Sequence, residues 1–400
     1  MAKQKVVLAY SGGLDTSVAI PWIKEHYDAE VITVTAELGQ GRDLEEVRLK
    51  ALATGAEKAI VLDGQEAFVE RFVWPALRAG AIYEAQYPLA TALARPLIAE
   101  YLASVALDEG AEFVAHGCTG KGNDQVRFDV SVGALAPDLR VIAPAREWGM
   151  SRDEEIEYAA AHNVPVPNTK DSPFSVDENL WGRSIEAGVL EDPWHEPPEE
   201  IYAWTRSMKD TPDTPLYLEI GFEKGAPVSV NGESLGGKSL VLHLNALAGE
   251  HGVGRIDHLE NRLVGIKSRE IYEAPAGVVL HAAHRSLETL TLSKEQVRFK
   301  EIVAQQYADI VYNGLWFTKH REDLDAYVDS TQEFVSGTVR VRLNKGTCTV
   351  VGRQSPHALY DYGLATYDEA DQFDHKASVG FINVFGLPVR TQSRRQSRQG

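Results

Sequence analysis

The stretch VVLAYSGGLDTSVAI occupies residues 6–20, and its centre is a glycine pair flanked by hydroxyl side chains. An apolar run of the kind found in buried strands precedes this centre, and an apolar run that suits a helix follows it. A loop carrying Gly12 and Gly13 at such a junction can turn tightly and point several backbone N–H groups at an anion. The stretch therefore predicts a strand, an anion-binding loop and a helix. A plain strand-to-helix turn is the alternative for a glycine pair taken alone.

The rest of the first 165 residues alternates short β-branched runs with longer amphipathic runs. Buried strands are predicted at residues 6–10, 30–35, 59–62, 113–116 and 141–143. Helices are predicted at residues 44–53, 67–77, 93–107 and 151–161, and Ser151 and Glu154 have the spacing of a capping box in the last of them. This alternation is typical of an α/β fold with a parallel sheet.

The pattern changes from Asp171 onward, and EDPWHEPPEE at residues 191–200 indicates a surface connection. Beyond it, a strand is predicted at residues 216–222, helices at 293–312 and 322–335, and a hairpin at 338–351 that turns at 344–346. These mixed elements predict an α+β arrangement. Since a single core stops growing at roughly 250 to 300 residues and the chain has 400, we expect a parallel-sheet domain at 1–168, an α+β domain at 169–365 and a C-terminal segment at 366–400.

The C-terminal segment is predicted to begin as a helix near Asp368 and to end in the basic sequence RTQSRRQSRQG at residues 390–400. Its apolar side chains include Phe373, Phe381 and Phe385, and an exposed apolar surface of this kind needs a partner. We expect a neighbouring copy of the chain to cover it, with folding back onto the same subunit as the alternative. The low apolar content of residues 390–400 predicts a tip that is disordered on its own.

The formal net charge is −18, from 58 acidic and 40 basic residues. This balance disfavours a general nucleic-acid binder, because phosphate backbones attract clustered Lys and Arg. Only two cysteines occur, without metal-ligand spacing, and no signal-like apolar stretch stands at the N-terminus, so a cytoplasmic location is expected. No run of about 18 apolar residues appears, so no membrane span is expected.

A second glycine-rich stretch, HGCTGKGNDQVR at residues 116–127, follows the fourth predicted strand. The carboxyl ends of strands face the ligand crevice in open α/β sheets, so we expect this stretch beside the first loop. Asp124 can bind an ammonium group, and Thr119 and Arg127 can bind carboxyl groups, as recognition of an amino acid requires. A solvated glycine-rich turn is the alternative. Cys118 is interpreted as a small buried residue rather than a nucleophile.

The string SGGLDTS at residues 11–17 is neither a Walker A loop, which needs a lysine, nor the dinucleotide-binding G-x-G-x-x-G. It resembles the pyrophosphate loop of the ATP pyrophosphatase family, whose members split ATP between the α- and β-phosphates. Two further strings are YPLATALARP at residues 87–96 and DSPFSVDENLWGRSIEAG at residues 171–188. Together with HGCTGKGNDQVR, these strings resemble the argininosuccinate synthase family over essentially the whole chain.

That resemblance implies the ATP-dependent joining of citrulline and aspartate, through a citrullyl-AMP intermediate, to give argininosuccinate, AMP and pyrophosphate in arginine biosynthesis. It implies an adenine nucleotide alpha hydrolase-like nucleotide-binding domain, an α+β synthetase domain and a C-terminal helical oligomerisation segment in a homotetramer. ATP would act as a co-substrate with Mg²⁺, without a tightly bound organic cofactor and without nucleic-acid or membrane partners. The protein ligands of the metal stay unknown.

The resemblance also assigns site residues, motif by motif. ATP would contact Ala9, Tyr10, Ser11, Gly12, Gly13, Leu14, Asp15, Thr16, Ser17, Ala36 and Gly117. Aspartate would contact Thr119, Asn123 and Asp124, and citrulline would contact Tyr87, Thr91, Asn123, Arg127, Ser175, Ser184, Glu260 and Tyr272. Catalytic roles would fall to Asp15, Asn123 and Asp124. The family often has Gly-Thr-Ser where this chain has Ala90-Thr91-Ala92, so Thr91 alone supplies a hydroxyl there.

Two other functions remain open from the sequence. A tRNA thiolase would share the pyrophosphate loop but needs a catalytic cysteine pair and a basic RNA-binding face. A nucleotide-binding regulatory protein would keep the fold without the chemistry.

Overall fold

The computed structural model describes residues 3–165 and 173–396. Met1–His357 form one compact unit and Ala358–Gly400 form a second, and each unit is described by itself. The boundary expected between residues 168 and 169 lies outside the described residues.

Five strands form a parallel sheet in the order β3-β2-β1-β4-β5. Their bounds are Gln4–Ala9 (β1), Ala29–Glu37 (β2), Lys58–Asp63 (β3), Phe113–Ala115 (β4) and Arg140–Ile142 (β5). Val6, Val7 and Leu8 in the central strand are fully buried, which explains why this strand is a continuous apolar run rather than an alternating one. The predicted parallel α/β sheet is confirmed.

The strand order reverses at β1. The chain adds β2 and β3 on one side of β1 and then crosses to add β4 and β5 on the other side. In open sheets of this kind, ligands bind outside the carboxyl ends of the strands at the point of reversal. The loops that follow β1 and β4 therefore meet at the edge where a ligand is expected.

Helices connect and cover these strands. Their bounds are Leu14–Tyr27 (α1), Leu44–Ala53 (α2), Gln65–Phe68 (α3), Trp74–Ala79 (α4), Ala90–Asp108 (α5), Asp124–Leu135 (α6), Pro144–Glu147 (α7) and Arg152–Ala161 (α8). The predicted capping box is present at α8, where the Ser151 side chain accepts from the Glu154 amide and the Glu154 side chain accepts from the Ser151 amide. These reciprocal bonds satisfy backbone donors that the first helical turn leaves free.

One predicted helix, at residues 67–77, is wrong as a single element. The structure has α3, a π-helical turn at Val69–Val73 and then α4. Pro75 stands at the start of α4 and has no amide hydrogen for the Arg71 carbonyl, so an unbroken α-helical hydrogen-bond ladder is impossible there.

The helix α5 is long and apolar enough to cross a membrane, by length and composition alone. Leu97 and Leu102 of this helix are fully buried, and Leu102 packs in one cluster with Val7, Ile32 and Val34 of the sheet. Burial in a protein core accounts for the apolar character of this helix.

Two antiparallel sheets follow in the chain, in the orders β10-β9-β8-β13-β14 and β11-β12-β7-β6. The strands are Ser175–Asn179 (β6), Gly182–Glu186 (β7), Leu216–Glu223 (β8), Ala226–Val230 (β9), Glu233–Ser234 (β10), Arg255–Asn261 (β11), Lys267–Glu273 (β12), Gly337–Asn344 (β13) and Thr347–Gln354 (β14). The helices are Gly237–Glu250 (α9), Pro275–Thr291 (α10), Lys294–Tyr312 (α11) and Lys319–Gln332 (α12). The predicted α+β arrangement and the hairpin turn at residues 344–346 are confirmed.

The helix predicted at residues 322–335 begins three residues earlier, at Lys319. The Thr318 side chain accepts a hydrogen bond from the Arg321 amide and so caps the helix start, an effect that apolar periodicity does not reveal.

A single hydrophobic core joins the parallel sheet's helices to both antiparallel sheets. It includes Phe72 and Trp74 from the first half and Trp181 and Leu343 from the second. The indole Nε1 of Trp181 also donates to the Pro88 carbonyl at 2.8 Å. The two halves of Met1–His357 therefore pack as one body.

Within residues 358–396, the second unit has the helices Tyr362–Ala365 (α13), Ala377–Phe385 (α14) and Leu387–Gln396 (α15). The helix expected from Asp368 begins only at Ala377. The side chains of Asp368, Asp371 and Asp374 each accept a hydrogen bond from the backbone amide two residues further on, and such turns compete with helix formation.

The expectation of disorder at residues 390–396 is also wrong, since α15 extends to Gln396. Arg and Gln are good helix formers, and neither Gly nor Pro interrupts residues 389–396. Residues 397–400 of the predicted tip lie outside the described residues.

Candidate active site

The loop between β1 and α1 holds its two glycines in different conformations. Gly12 has φ +77°, in the left-handed region that favours glycine, whereas Gly13 has an ordinary φ of −73°. The hydroxyls of Ser11 and Thr16 lie 3.2 Å apart. The loop thus gathers hydroxyls and backbone N–H groups at the N-terminus of α1, an arrangement that binds anions.

The other residues assigned to ATP lie on the same edge of the sheet. Ala9 ends β1, Tyr10 follows it, Leu14, Asp15 and Ser17 lie in the first turn of α1, Ala36 lies near the end of β2, and Gly117 follows β4.

Two cations attach to this loop from outside the predicted motif. Lys50 Nζ donates to the Gly12 carbonyl at 2.6 Å, and Arg42 donates to the Ser11 carbonyl at 2.9 Å. Burial, and then the charge of Arg42, lower the pKa of Lys50. Sequence reasoning missed both residues, because only the folded chain brings α2 and the preceding turn against the loop.

A pair of carboxyl groups lies beside the same loop. Glu155 on α8 is buried, and Asp15 at the start of α1 lies close enough to perturb its ionisation. Burial, and then the negative charge of Asp15, raise the pKa of Glu155 well above its usual range. A bound cation would relieve this repulsion between like charges.

The loop after β4 touches the first loop, as expected. A Cβ added to Gly117 would lie only 2.9 Å from Cγ2 of Thr16, so glycine permits this close approach. The His116 ring is fixed by Asp129, 2.8 Å from Nε2, and by the Cys118 amide, which donates to Nδ1. Burial raises the pKa of the Cys118 thiol, in agreement with an inert cysteine.

Asp124 at the start of α6 lies between two arginines. Its Oδ2 accepts from Arg95 and its Oδ1 from Arg127, each at 2.8 Å. Burial opposes ionisation, but the charges of Arg95 and Arg127 outweigh it and lower the pKa of Asp124 to about 2. Arg95 also pairs with Asp177 of β6, so this charge network joins α5, α6 and the four-stranded sheet.

Arg95 and Arg127 each have one buried nitrogen that donates no hydrogen bond within the described part of the protein. Among the described residues, Nε of Arg95 and one terminal nitrogen of Arg127 are buried and have no hydrogen-bond partner. Buried donors without partners are costly, and a carboxylate in the crevice would satisfy them. Arg95 was not predicted as a site residue, and its place in an apolar helical pattern gave no signal.

Asn123 forms hydrogen bonds within the protein through both polar atoms of its side chain. Its Nδ2 donates to the Tyr312 hydroxyl at 2.8 Å, and its Oδ1 accepts from the Leu263 amide at 2.9 Å. Asn123 thereby connects the second loop with the turn between β11 and β12.

The residues assigned to citrulline form an aromatic and acidic cluster. The rings of Tyr87 and Tyr272 stack with centroids 4.1 Å apart, and the Tyr87 hydroxyl accepts from the Thr91 amide at 2.8 Å. The Tyr272 hydroxyl donates to Glu260 at 2.5 Å. Tyr272 pairs with Ser184 across β12 and β7, so the segment at residues 87–91, β7 and the paired strands β11 and β12 meet here.

Two predicted residues are set apart from this cluster. Thr119 is exposed in the second loop, and Ser175 is exposed at the first position of β6. Neither side chain takes part in the hydrogen bonds and ring contacts that join the other residues assigned to the amino acids.

Both halves of the chain match family models. Residues 5–165 match the Arginosuccinate synthase N-terminal HUP domain, and residues 174–392 match the Arginosuccinate synthase C-terminal domain. The first match identifies the class to which the parallel-sheet half belongs, a HUP domain.

Curated relatives match along nearly their whole length. Argininosuccinate synthase of Gloeobacter violaceus is 63% identical over 98% of both chains, and that of Symbiobacterium thermophilum is 61% identical over 98% of both. Argininosuccinate synthase of Dehalococcoides mccartyi is 59% identical over 98% of this chain and 97% of its own. The chain belongs to the argininosuccinate synthase family.

A solved structure, the U34-tRNA thiolase NcsA from Methanococcus maripaludis, matches at 14% identity with a TM-score of 0.27. It covers 42% of this chain and 60% of that one, and this likeness is too low to bear on function.

Replacing Gly12 by Val should raise the KM for ATP at least tenfold, because a β-branched side chain at φ +77° is strained and would block approach to the loop backbone. Steady-state kinetics with varied ATP measures the effect. Gly13→Ala is the matched control, since its backbone suits any residue and the new Cβ meets only Ser11 Oγ, at 3.4 Å. Equal rises in the two variants would contradict the conformational argument.

Asp124→Asn should lower the free energy of unfolding by about 3 kcal/mol at pH 7, because two buried arginines lose their shared anion. The pKa of Asp124 is lowered from 3.8 to about 2 in the folded protein. Its stabilising contribution is therefore complete above pH 3.8 and is lost as the pH falls toward 2. Urea unfolding at several pH values should show the two proteins converging as the solution is acidified.

Asp129→Asn is the control for that measurement, since Asp129 lies on the same helix and pairs with Arg146 and His116, outside the double-arginine network. Asp129→Asn should lower the free energy of unfolding by less than Asp124→Asn does. Asp124→Asn should also impair ligation more than ATP binding, and an equal loss of ATP affinity would count against assigning Asp124 to the amino acids.

Proposed function

We propose that this chain ligates citrulline to aspartate with ATP, forming argininosuccinate, AMP and pyrophosphate in arginine biosynthesis. The observation that carries the proposal is the contact between the anion-binding loop and the loop after β4. This contact supports the proposal, because the loop after β4 leads into the helix that carries Asp124 and Arg127, whose charged groups suit amino-acid ends.

The chemistry explains the need for both surfaces. The ureido oxygen of citrulline leaves poorly, so an amine cannot displace it directly at a useful rate. In-line attack of this oxygen on the α-phosphorus forms citrullyl-AMP and releases pyrophosphate. The aspartate amine then forms the new C–N bond, the C–O bond to AMP breaks, and the amine loses a proton. The protein chiefly positions the reactants and neutralises charge.

Residues 9–17, with Ala36 and Gly117, would bind ATP, and Lys50 and Arg42 would add positive charge beside the departing pyrophosphate. Both cations already contact carbonyl oxygens of the loop, so they also fix its backbone. Fixed donors and charges at the point where negative charge develops are the most effective form of electrostatic stabilisation.

Two groups of side chains would bind the charged ends of the two amino acids, one group for citrulline and one for aspartate. The unpartnered nitrogen of Arg127 suits the citrulline carboxylate, and Glu260 suits the citrulline ammonium, with Tyr87, Thr91, Ser175, Ser184 and Tyr272 completing that end. Asp124 would receive the aspartate amine, with Thr119 at the aspartate carboxyl groups. Asn123 would contribute from between the two substrates while its present bonds hold the second loop in place.

Magnesium would bind beside the loop at Asp15 and Glu155. The pair fits this ion, because two adjacent carboxyl groups supply hard oxygen ligands and repel each other when the ion is absent. No group of three or more His, Cys, Asp or Glu side chains within residues 3–165 and 173–396 is arranged to hold a metal. That suits an ion that takes its other ligands from phosphate oxygens and water. When bound, the ion would neutralise charge on pyrophosphate, and ATP, being consumed, requires no tightly bound organic cofactor.

The thiolase alternative is disfavoured by the two cysteines. Cys118 follows β4 and Cys348 lies on β14, and burial raises the pKa of both thiols, that of Cys348 to about 11. Thiols that stay protonated near neutral pH are poor nucleophiles.

The deciding experiment combines the purified protein with ATP, Mg²⁺ and citrulline labelled with ¹⁸O at the ureido position. Sustained pyrophosphate release should require aspartate, and the label should appear in the phosphate of AMP. Release without citrulline, or AMP without the label, would contradict the proposed reaction.

We further propose a cytoplasmic homotetramer that is assembled through the C-terminal segment. Phe381, Val384 and Phe385 on α14 are exposed by 64%, 69% and 74%, and α14 and α15 contain no buried residue. Exposed apolar surface of this extent favours association with a second copy.

A chain that ends at Tyr367 should lose tetrameric mass in light scattering, because it lacks this apolar surface. The variant with both Arg394→Ser and Arg395→Ser is the matched control. It should remain a tetramer, because exposed ion pairs contribute only about 0 to 1 kcal/mol each. A truncated chain of unchanged oligomeric mass would show that another surface assembles the protein.

A further inference from the structure

Tyr312, the last residue of α11, is almost completely buried beneath the cluster assigned to the amino acids. Its hydroxyl donates to Oε1 of Glu260 at 2.6 Å and accepts from Nδ2 of Asn123 at 2.8 Å. A single hydroxyl thus connects β11 with the start of α6. Burial, and then the charge of Glu260, raise the pKa of Tyr312, so this hydroxyl keeps its proton at any physiological pH.

The same residue also holds Arg127. Its backbone carbonyl accepts from Nε of Arg127 at 2.9 Å, and the guanidinium carbon lies 4.9 Å from the centre of its ring. On the ring, Tyr83 stacks with centroids 3.6 Å apart and planes only 7° from parallel. Tyr312 therefore fixes the guanidinium through its backbone and its ring, independently of its hydroxyl.

Glu260 shows why the hydroxyl matters. One carboxylate oxygen accepts from Tyr312 and the other accepts from Tyr272, so both oxygens are oriented and each keeps a lone pair for a ligand. Without the Tyr312 hydroxyl, the Glu260 carboxylate could rotate about χ3, a torsion with only weak preferences. Asn123 would lose one of its two bonds at the same time.

We propose that Tyr312 is a positioning residue for citrulline, which acts by holding Glu260, Asn123 and Arg127 in one binding arrangement. This inference rests on the proposed function. Tyr312 has no contact with reacting atoms in this role; its hydroxyl presets the carboxylate that receives the citrulline ammonium, and its ring supports the guanidinium that receives the carboxylate. Binding groups held in place by neighbours lose less entropy when the ligand arrives.

Tyr312→Phe tests the proposal, because it keeps the ring over Arg127 and against Tyr83 and removes only the hydroxyl. The KM for citrulline should rise at least tenfold, as expected when a hydrogen bond to a charged group is lost. The value of kcat should change by less than threefold, and the KM for ATP by less than twofold, since Tyr312 has no contact with the first loop. Thermal melting establishes that the variant is folded.

Tyr307→Phe is the matched control. Tyr307 lies on the same helix, is fully buried, and donates its hydroxyl to Asp325 at 2.7 Å, away from the citrulline cluster. Tyr307→Phe should lower the stability of the protein about as much as Tyr312→Phe does, and it should leave the KM for citrulline unchanged. If both variants raise this KM equally, or if Tyr312→Phe raises the KM for ATP as much as that for citrulline, the role of Tyr312 is general packing and the proposal is overturned.

A double-mutant cycle with Glu260→Gln supplies the second measurement. If Tyr312 acts through Glu260, the combined variant should raise the KM for citrulline much less than the product of the two single effects. Multiplicative effects would overturn the proposal. A wild-type protein without citrulline-dependent pyrophosphate release would instead overturn the proposed function, so the two failures are distinguishable.

Discussion

The ion network centred on Asp124 is the interaction on which the rest of the site depends. Its carboxylate is shared by Arg95 of α5 and Arg127 of α6, and Arg95 extends the network to Asp177 of β6. Transferring charged groups from water to the protein interior costs free energy. This cost is offset only when each buried ion has a partner of opposite charge. The second loop, the long central helix and the four-stranded sheet are therefore held in register by one set of charges, and the crevice receives its remaining donors from the same two arginines.

The formal charge of −18 says little about this crevice. Lys50 and Arg42 contact the glycine loop, and two arginines flank Asp124, so donors for small anions stand at the edge of the parallel sheet where phosphates and carboxylates are expected. An acidic protein can bind anions because a local field in a cleft outweighs distant surface charges that salt screens over about 10 Å. The negative net charge of the protein disfavours binding of extended polyanions such as nucleic acids. Binding of small anions depends on the local geometry of the site.

The parts of the fold that local patterns determine were predictable from the sequence. Buried strand runs, the Ser151 capping box and the turn at residues 344–346 each depend on neighbours within a few positions, and the strand-end rule correctly brought the two glycine loops together. What the sequence could not reveal depends on contacts between distant segments. Glu155 and Tyr312 look like an ordinary surface acid and an ordinary core aromatic until α8 packs on α1 and α11 reaches β11. The spaced aspartates before α14 were misjudged because their side chains compete with the helix for backbone donors.

The hydrophobic core shared by the two halves limits how substrates can enter. Swinging the halves apart as rigid bodies would pull Trp181 from its place beside Trp74, break its bond to the Pro88 carbonyl and wet a continuous apolar interior, at about 25 cal/mol for each Å² exposed. The free-energy cost of separating the halves therefore grows with the apolar area that the separation exposes. Ser11 and Thr119 at the rim of the crevice already face solvent, so ligands can reach them while the shared core stays closed.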